Sequence, residues 1–211
     1  TRRELVDLCH SEELKGSPFF NIFANVILRP FRQAEVLAMA AAYLAETGPS
    51  FTLADQEHIY RLAGGFPFFV QMAGYYLVEA YAAGLRDKAL QQEVEKQYQL
   101  QVDPHYSYFW SHCLESEKIA LLAVLSLGRQ KPTKKSLPNL ENLVKIHPHV
   151  QIDVPELLKR GLLYEDPAQP GSFRLLSESL ERWIAQEISA GEGSQESAAS
   201  VESWLQAGGK E

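Results

Sequence analysis

The chain has 211 residues, of which 45% are hydrophobic and 22% are charged, and its formal net charge at pH 7 is -7. This is the composition of a globular protein, and the acidic total disfavours a dedicated nucleic-acid binder. Two distant cysteines, Cys9 and Cys113, indicate no disulfide framework and predict a reducing, cytoplasmic location, and no apolar run reaches the about 20 residues that span a bilayer.

The first 31 residues contain one candidate strand. The chain opens with TRREL and has no initial methionine, so we expect a longer polypeptide that continues upstream. Asn21 to Leu28 is short, apolar and bounded by prolines, which is typical of a strand. Because a strand needs a neighbour to satisfy its backbone groups, we expect its sheet in the upstream part.

Three helices are predicted next. Arg32 to Glu46 carries apolar residues at helical spacing and ends before Gly48-Pro49. Thr52 and Asp55 resemble a capping box that opens Leu53 to Ala63, and Gly64-Gly65 closes it. Pro67 opens a helix to about Ala83, since proline at the first helical position loses no helical hydrogen bond. Its apolar surface predicts the buried central helix of a small bundle.

The chain then becomes polar and charged. From Asp87 it predicts a long exposed helix that ends near Asp103-Pro104, because proline disfavours helix in the residue before it. The run HYSYFWSHCL follows on a further helix. We interpret this aromatic cluster as a hydrophobic junction between two domains.

The second half has the element order of a winged helix-turn-helix unit. It contains a helix from Ser116 to Leu127, a long polar connection, and a helix Pro155 to Arg160 that begins with Asp153 as its cap and ends at Gly161. Two short strands, LLYED and SFRLL, flank a turn-rich loop. Ser177 caps a last helix, Glu178 to Ile188. The Gly/Ser/Glu-rich tail from Ser189 is predicted to be flexible.

Three motifs in this order resemble the C-terminal part of an AAA+-type P-loop ATPase of the signal-transduction (STAND) class. TRREL with GSPFFNIFANVILRPF looks like the exit from the sensor-1 strand, and GGFPFFVQMAGYYL looks like the GxP motif of the helical lid. WSHCLESEKIALLAVL with LLKRGLLYEDPAQPGSFRLLSESLERWI looks like the winged helix after the lid. The resemblance implies a mainly α fold in four parts: a remnant of the nucleotide-binding core (1–31), a helical-bundle lid (32–103), a winged helix with a small β-hairpin (104–188) and a flexible tail (189–211).

The resemblance also implies a nucleotide site. The family's GxP proline packs near the adenine, which would place Gly65, Phe66 and Pro67 against the base, and Arg2 or Arg3 would be the sensor-1 arginine. ATP or ADP with Mg is the implied cofactor of the full-length protein, and no tight binding is expected from this chain by itself. No GxxxxGK run followed by Ser or Thr occurs in the sequence, so we predict no catalytic residue here and expect the P-loop core upstream.

The function implied is that of a regulatory module in a nucleotide-dependent switch, which signals to an unidentified effector. The alternative is a winged-helix DNA-binding protein related to the archaeal origin-binding ATPases of this group. For that alternative, Lys159, Arg160 and Arg174 would contact phosphates. Four acidic residues lie close to them in sequence and weaken it: Asp153, Glu156, Glu165 and Asp166.

The histidines and cysteines do not predict a metal site. His147 and His149 have no carboxylate or cysteine at ligand spacing. His105, His112 and Cys113 are close in sequence, but zinc in a structural site takes four ligands. We therefore interpret them as surface or core residues. The dense basic run Arg129, Lys131, Lys134 and Lys135 is interpreted as a solvated loop.

Overall fold

The computed structural model describes residues 29–44, 50–130, 138–166 and 169–190. Within these ranges the chain forms eight helices and one two-stranded antiparallel sheet. The expectation of a mainly helical fold with a small β-hairpin is therefore confirmed. The predicted strand Asn21 to Leu28 and residues 191–211 of the predicted tail lie outside the described residues.

The first three helices follow their predicted boundaries closely. They are α1 (Gln33–Leu44), α2 (Leu53–Ala63) and α3 (Pro67–Ala82). The capping box is confirmed, since Asp55 N donates to Thr52 Oγ1 at 3.2 Å and Thr52 N donates to Asp55 Oδ2 at 2.8 Å. Helix α3 packs between α2 and α4, but Phe68 and Tyr75 are exposed, so it is not buried on all sides as its composition predicted.

Helix α4 (Asp87–Ser111) runs through Pro104 without ending. The predicted end near Asp103-Pro104, and the separate helix after it, are wrong. The helix also buries one complete face, because every fourth residue from Leu90 to Trp110 points into the core: Leu90, Val94, Tyr98, Val102, Tyr106 and Trp110. This face explains why the helix continues past a proline on its exposed side.

The second half adds four helices and the hairpin. Helix α5 (Glu115–Gln130) is followed by α6 (Leu140–Ile146), α7 (Val150–Lys159), β1 (Leu163–Glu165), β2 (Phe173–Leu175) and α8 (Glu178–Ala190). The predicted hairpin is confirmed, and its strands pair in the register Leu163 with Leu175 and Glu165 with Phe173. Leu180 N donates to Ser177 Oγ at 3.2 Å, which confirms the cap of α8.

Two features of this half differ from prediction. Helix α6 lies in what was predicted to be a polar connection, and Asn139 caps it by accepting from Asn142 N at 2.9 Å. Helix α7 begins at Val150, five residues before the predicted start. Asp153 does not cap it, because its Oδ1 accepts instead from the Ser116 hydroxyl of α5 at 3.0 Å.

One hydrophobic core connects both halves, extending from Val36 in α1 to Ile184 in α8. Helix α8 returns to pack on α2 and α4. The aromatic cluster of α4 makes the central contacts: the Tyr106 ring is 5.6 Å from Phe69 of α3 and 6.2 Å from Trp183 of α8. None of the helices in the described ranges is long and apolar enough to cross a lipid bilayer.

Candidate functional site

The turn from Gly64 to Pro67 connects α2 to α3 and is built as the sequence predicted. Gly64 has φ +62° at the end of α2, a conformation that glycine adopts without steric cost. Pro67 occupies the first turn of α3, and Phe66 before it makes no side-chain cap. The turn therefore leaves the first amides of α3 without a side-chain cap, as in helix ends that bind polar ligands.

Gly65 is buried against the segment that leads into α1. Phe31 N donates to the Gly65 carbonyl oxygen at 2.7 Å. A Cβ added to Gly65 would overlap the Phe31 carbonyl oxygen and lie 2.7 Å from its nitrogen. The close approach that requires glycine here is made by the backbone of Phe31.

The same turn contacts the C-terminal half at two further points. A Cβ on Gly64 would meet the carbonyl and side chain of Leu176, just after β2. Beyond the end of α7, a Cβ on Gly161 would lie 3.0 Å from the Phe66 ring and 2.7 Å from Pro30. Three parts of the chain therefore meet here: the segment Pro30–Phe31, the turn itself, and residues 161–176 with β1 and β2, which we call the hairpin unit.

The aromatic residues of the turn differ in their exposure. The Phe66 ring is half-buried and lies 5.8 Å from the Phe69 ring and 6.4 Å from the Phe109 ring. Pro67 is also half-buried. Phe68 is 52% exposed and its ring meets the edge of His105 at 5.0 Å. The turn thus presents apolar surface to solvent beside the start of a helix.

The other candidate nucleotide residues cannot be placed beside this turn. Arg2 and Arg3 lie outside the described residues. The structure brings Gly65, Phe66 and Pro67 together through their adjacency in sequence, and it adds Pro30 and Phe31 to them. Sequence analysis did not single out these two residues, although their RPF run stands at a break between two predicted elements.

Each of the three basic residues predicted for nucleic-acid or partner contact forms an ion pair. Lys159 Nζ lies 2.7 Å from Glu156 Oε1, Arg160 Nη1 lies 2.9 Å from Glu117 Oε2, and Arg174 Nη2 lies 2.7 Å from Asp166 Oδ2. Glu117 and Asp166 are buried. These partners offset much of the positive charge that a phosphate backbone would need.

Histidine and cysteine side chains have structural contacts. Across the described ranges, no group of three His, Cys, Asp or Glu side chains is arranged to hold a metal ion. His112 Nδ1 lies 2.8 Å from the Tyr108 carbonyl oxygen, and the rings of His147 and His149 are 5.3 Å apart. Burial raises the pKa of Cys113, so its thiol stays protonated, and its Sγ accepts a hydrogen bond from Arg160 Nη2 at 3.5 Å.

A buried hydroxyl network at the junction of α2, α4 and α8 was not predicted. Tyr106 Oη lies 2.6 Å from Ser179 Oγ and 3.2 Å from Ser177 Oγ, and Tyr98 Oη is 3.4 Å away. Ser179 donates its own proton to the Leu62 carbonyl oxygen near the end of α2. Of the two serines, only Ser177 was singled out in the sequence, and it was interpreted only as the cap of α8.

The comparisons with known proteins agree with the resemblance in the N-terminal and central parts of the chain. A family model described as Novel STAND NTPase 2 (nSTAND2) matches residues 1–128. This match spans more than half of the chain, and the chain belongs to the Novel STAND NTPase 2 family. The matched region contains the Gly64–Pro67 turn and ends inside α5. No curated protein and no solved structure matched the sequence.

Proposed function

We propose that this chain is the regulatory lid and winged-helix module of a nucleotide-dependent switch of the STAND class. The observation that carries the proposal is the position of the Gly64–Pro67 turn. The turn touches the Pro30–Phe31 segment on one side and the hairpin unit, through Leu176 and Gly161, on the other. A change in the turn caused by nucleotide would therefore reach both neighbours directly, and the output would be a rearrangement that an effector protein recognises.

The winged-helix part of the proposal is supported by the element order in the second half. Three helices, α5 to α7, precede the β1–β2 hairpin, which is the order expected of a helix-turn-helix unit with a wing. Asn139, before α6, forms an isolated antiparallel bridge with Ser172. Phe173 N donates to the Pro138 carbonyl oxygen at 2.9 Å. This bridge adds a short third pairing to the edge of the hairpin.

The residues of the turn fit the base of a nucleotide. Phe66 and Pro67 are half-buried, so each keeps a surface that an adenine could cover. Pro67 has no amide hydrogen and Phe66 makes no cap bond to α3, so the Phe68 amide is the first of that helix that could donate to a base nitrogen. Gly65 would act indirectly, by holding Phe31 in place. The phosphates and Mg would be held by the upstream P-loop core, with Arg2 or Arg3 as sensor, and nucleotide hydrolysis would supply the free-energy difference between the two states.

The alternative of duplex binding through α7 and the wing is less well supported. Lys159, Arg160 and Arg174 all have carboxylate partners within 3 Å. Glu117 and Asp166 are buried, so a phosphate that drew the arginines away would leave a buried carboxylate without that partner. A salt-dependent shift of duplex DNA by this chain would favour the alternative, whereas absence of binding at low salt would eliminate it. We also place the protein in the cytoplasm, since two distant cysteines fit a reducing compartment.

The test of the switch proposal is the affinity for ADP of the full-length protein. We expect Pro67→Ala to weaken ADP binding about fivefold, because about 1 kcal/mol of apolar contact with the base is lost. Arg3→Ala, at one of the two candidate sensors, should weaken ATP more than ADP, because a sensor-1 arginine contacts the terminal phosphate. Pro170→Ala, at an exposed proline of the hairpin turn, is the matched control and should bind both nucleotides normally.

The contrary result is unambiguous. If Pro67→Ala and Arg3→Ala both leave the affinities for ADP and ATP unchanged in a folded protein, the lid assignment is wrong. Circular dichroism of each variant distinguishes a loss of contact from a loss of folding.

A further inference from the structure

His58 lies where α2 packs on α4 and α8, and it is 5% exposed. Its Nδ1 is 3.4 Å from Nη2 of Arg61, one turn further along α2. A guanidinium can only donate, so Nδ1 accepts and the proton of the neutral ring is on Nε2. Nε2 has no hydrogen-bond partner among the described residues. The ring is therefore packed as a neutral group, and the Gln91 backbone is the polar group of α4 that acts on it.

The charges around this ring oppose a further proton. Burial, and then Arg61, are the main causes that lower the pKa of His58. The Gln91 backbone of α4 and then Asp55 act in the opposite direction and raise this pKa, and Arg182 of α8 adds a smaller lowering.

The carboxylate that acts on His58 and the one beside Arg182 are already engaged. Asp55 Oδ2 accepts from the Tyr81 hydroxyl of α3 at 2.6 Å and from the Thr52 backbone at 2.8 Å. Glu95 of α4 pairs with Arg182. Neither carboxylate is therefore positioned to neutralise a newly charged imidazole without giving up a present partner.

We propose that His58 is a proton-sensitive contact that loosens the attachment of α8 to α2 and α4 when the solution is acidified. A proton can add only at Nδ1, where it would replace an acceptor by a donor facing Arg61. It would also place a positive charge near Arg182, on the helix that joins the hairpin unit to the lid. This inference does not depend on nucleotide binding. It concerns the contact of α8 with α2 and α4, which we call the α8 joint, and this contact must change if the hairpin unit moves.

The direction of the pH effect follows from linkage. Because the pKa of His58 is lowered in the packed state, the neutral ring stabilises the joint fully above the ordinary histidine value of about 6.5. As the pH falls below about 6.5, the opened state takes up the proton first and becomes more populated. Between pH 7.5 and pH 5.5 one histidine can raise the opening equilibrium by at most about tenfold.

The experiment is hydrogen exchange of the amides of α8, corrected for intrinsic rates, at pH 7.5 and pH 5.5. Peptides from the buried part of α5 serve as an internal reference. We expect the opening equilibrium of α8 to rise severalfold on acidification in the natural chain and less than twofold in His58→Gln, which keeps a donor and an acceptor without titrating. His112→Gln, at an exposed histidine directly after α4, is the matched control and should keep the pH dependence.

A direct measurement covers the case in which His58→Gln does not fold. The ring resonances of His58 in the natural chain are followed by NMR during a pH titration, and they should change below the ordinary histidine range. The proposal is overturned if α8 shows the same pH dependence with and without His58. It is equally overturned if the ring of His58 titrates at or above about pH 6.5.

Discussion

At the scale of single residues, Gly65 is a position that leaves no room for a side chain. Glycine has no side chain to place in the core. Gly65 is nevertheless buried, because the backbone of Phe31 occupies the space where a Cβ would be. Backbone atoms cannot move aside as the end of a flexible side chain can. A glycine that looks like a turn signal in the sequence is therefore also a packing requirement between α1 and the turn.

We predict that Gly65→Ala lowers the free energy of unfolding by about 2–3 kcal/mol, as overpacking against backbone does. Gly74→Ala is the matched control, because Gly74 lies inside α3 and an added Cβ meets nothing within 4 Å. That substitution should stabilise the protein by about 1 kcal/mol through helix propensity. Urea denaturation measures both, and equal effects of the two substitutions would contradict the close approach of Phe31.

At the scale of elements, the attachment of α8 rests on a buried polar network as well as on apolar contact. Tyr106 donates to Ser179, since the single proton of Ser179 is given to the Leu62 carbonyl. Burial raises the pKa of Tyr98 and of Tyr106, so both hydroxyls remain neutral donors. The Tyr106 phenol thus joins α4 to α8. Ser179 then joins α8 to the end of α2.

Tyr106→Phe should reduce stability by about 1–2 kcal/mol, because Ser179 and Tyr98 lose a buried partner while the ring still fills its place. Tyr108→Phe removes a hydroxyl from an exposed ring on the same helix and should change stability by less than about 0.5 kcal/mol. Thermal unfolding of the two variants gives the comparison. If both variants lose the same small amount of stability, the hydroxyl network contributes little to the attachment of α8.

The elements that the sequence predicted correctly are those whose signals are local. The capping box at Thr52, the glycine and proline of the first turn and the serine cap of α8 each act within about four residues. The errors occur where distant contacts decide. Pro104 lies on the exposed side of α4, so the Leu100 carbonyl that it leaves unpaired faces water, while Tyr106 and Trp110 gain burial beyond it.

The candidate site shows the same division. The sequence located the Gly64–Pro67 turn, because glycine and proline specify backbone geometry. It could not show that Phe31, Leu176 and Gly161 converge on this turn, since those contacts join residues far apart in the chain. Nor could it show that Asp153 accepts a hydrogen bond from Ser116. The sequence therefore predicted, wrongly, that this carboxylate caps α7.

At the scale of the whole molecule, the two halves share one core. Helix α4 passes through the predicted boundary at residues 103 and 104, and α8 packs back on α2 and α4. Trp183 of α8 donates from its indole to Asp103 Oδ1 at 2.7 Å and its ring lies 6.2 Å from that of Trp110. Neither half can separate without exposing the aromatic residues at this junction.

We therefore predict a single cooperative unfolding transition, with coincident curves from far-ultraviolet circular dichroism and tryptophan fluorescence. Two variants place the perturbation at opposite ends: Gly65→Ala in the first half and Leu157→Ala, at a fully buried leucine of α7, in the second. Each variant should move the whole unfolding curve to lower denaturant concentration. The leucine variant should lose about 2–5 kcal/mol of the free energy of unfolding. Independent domains would instead give two transitions, with each variant shifting only one of them. In that case a switch could move the hairpin unit as a separate body, whereas a shared core requires the α8 joint to open first.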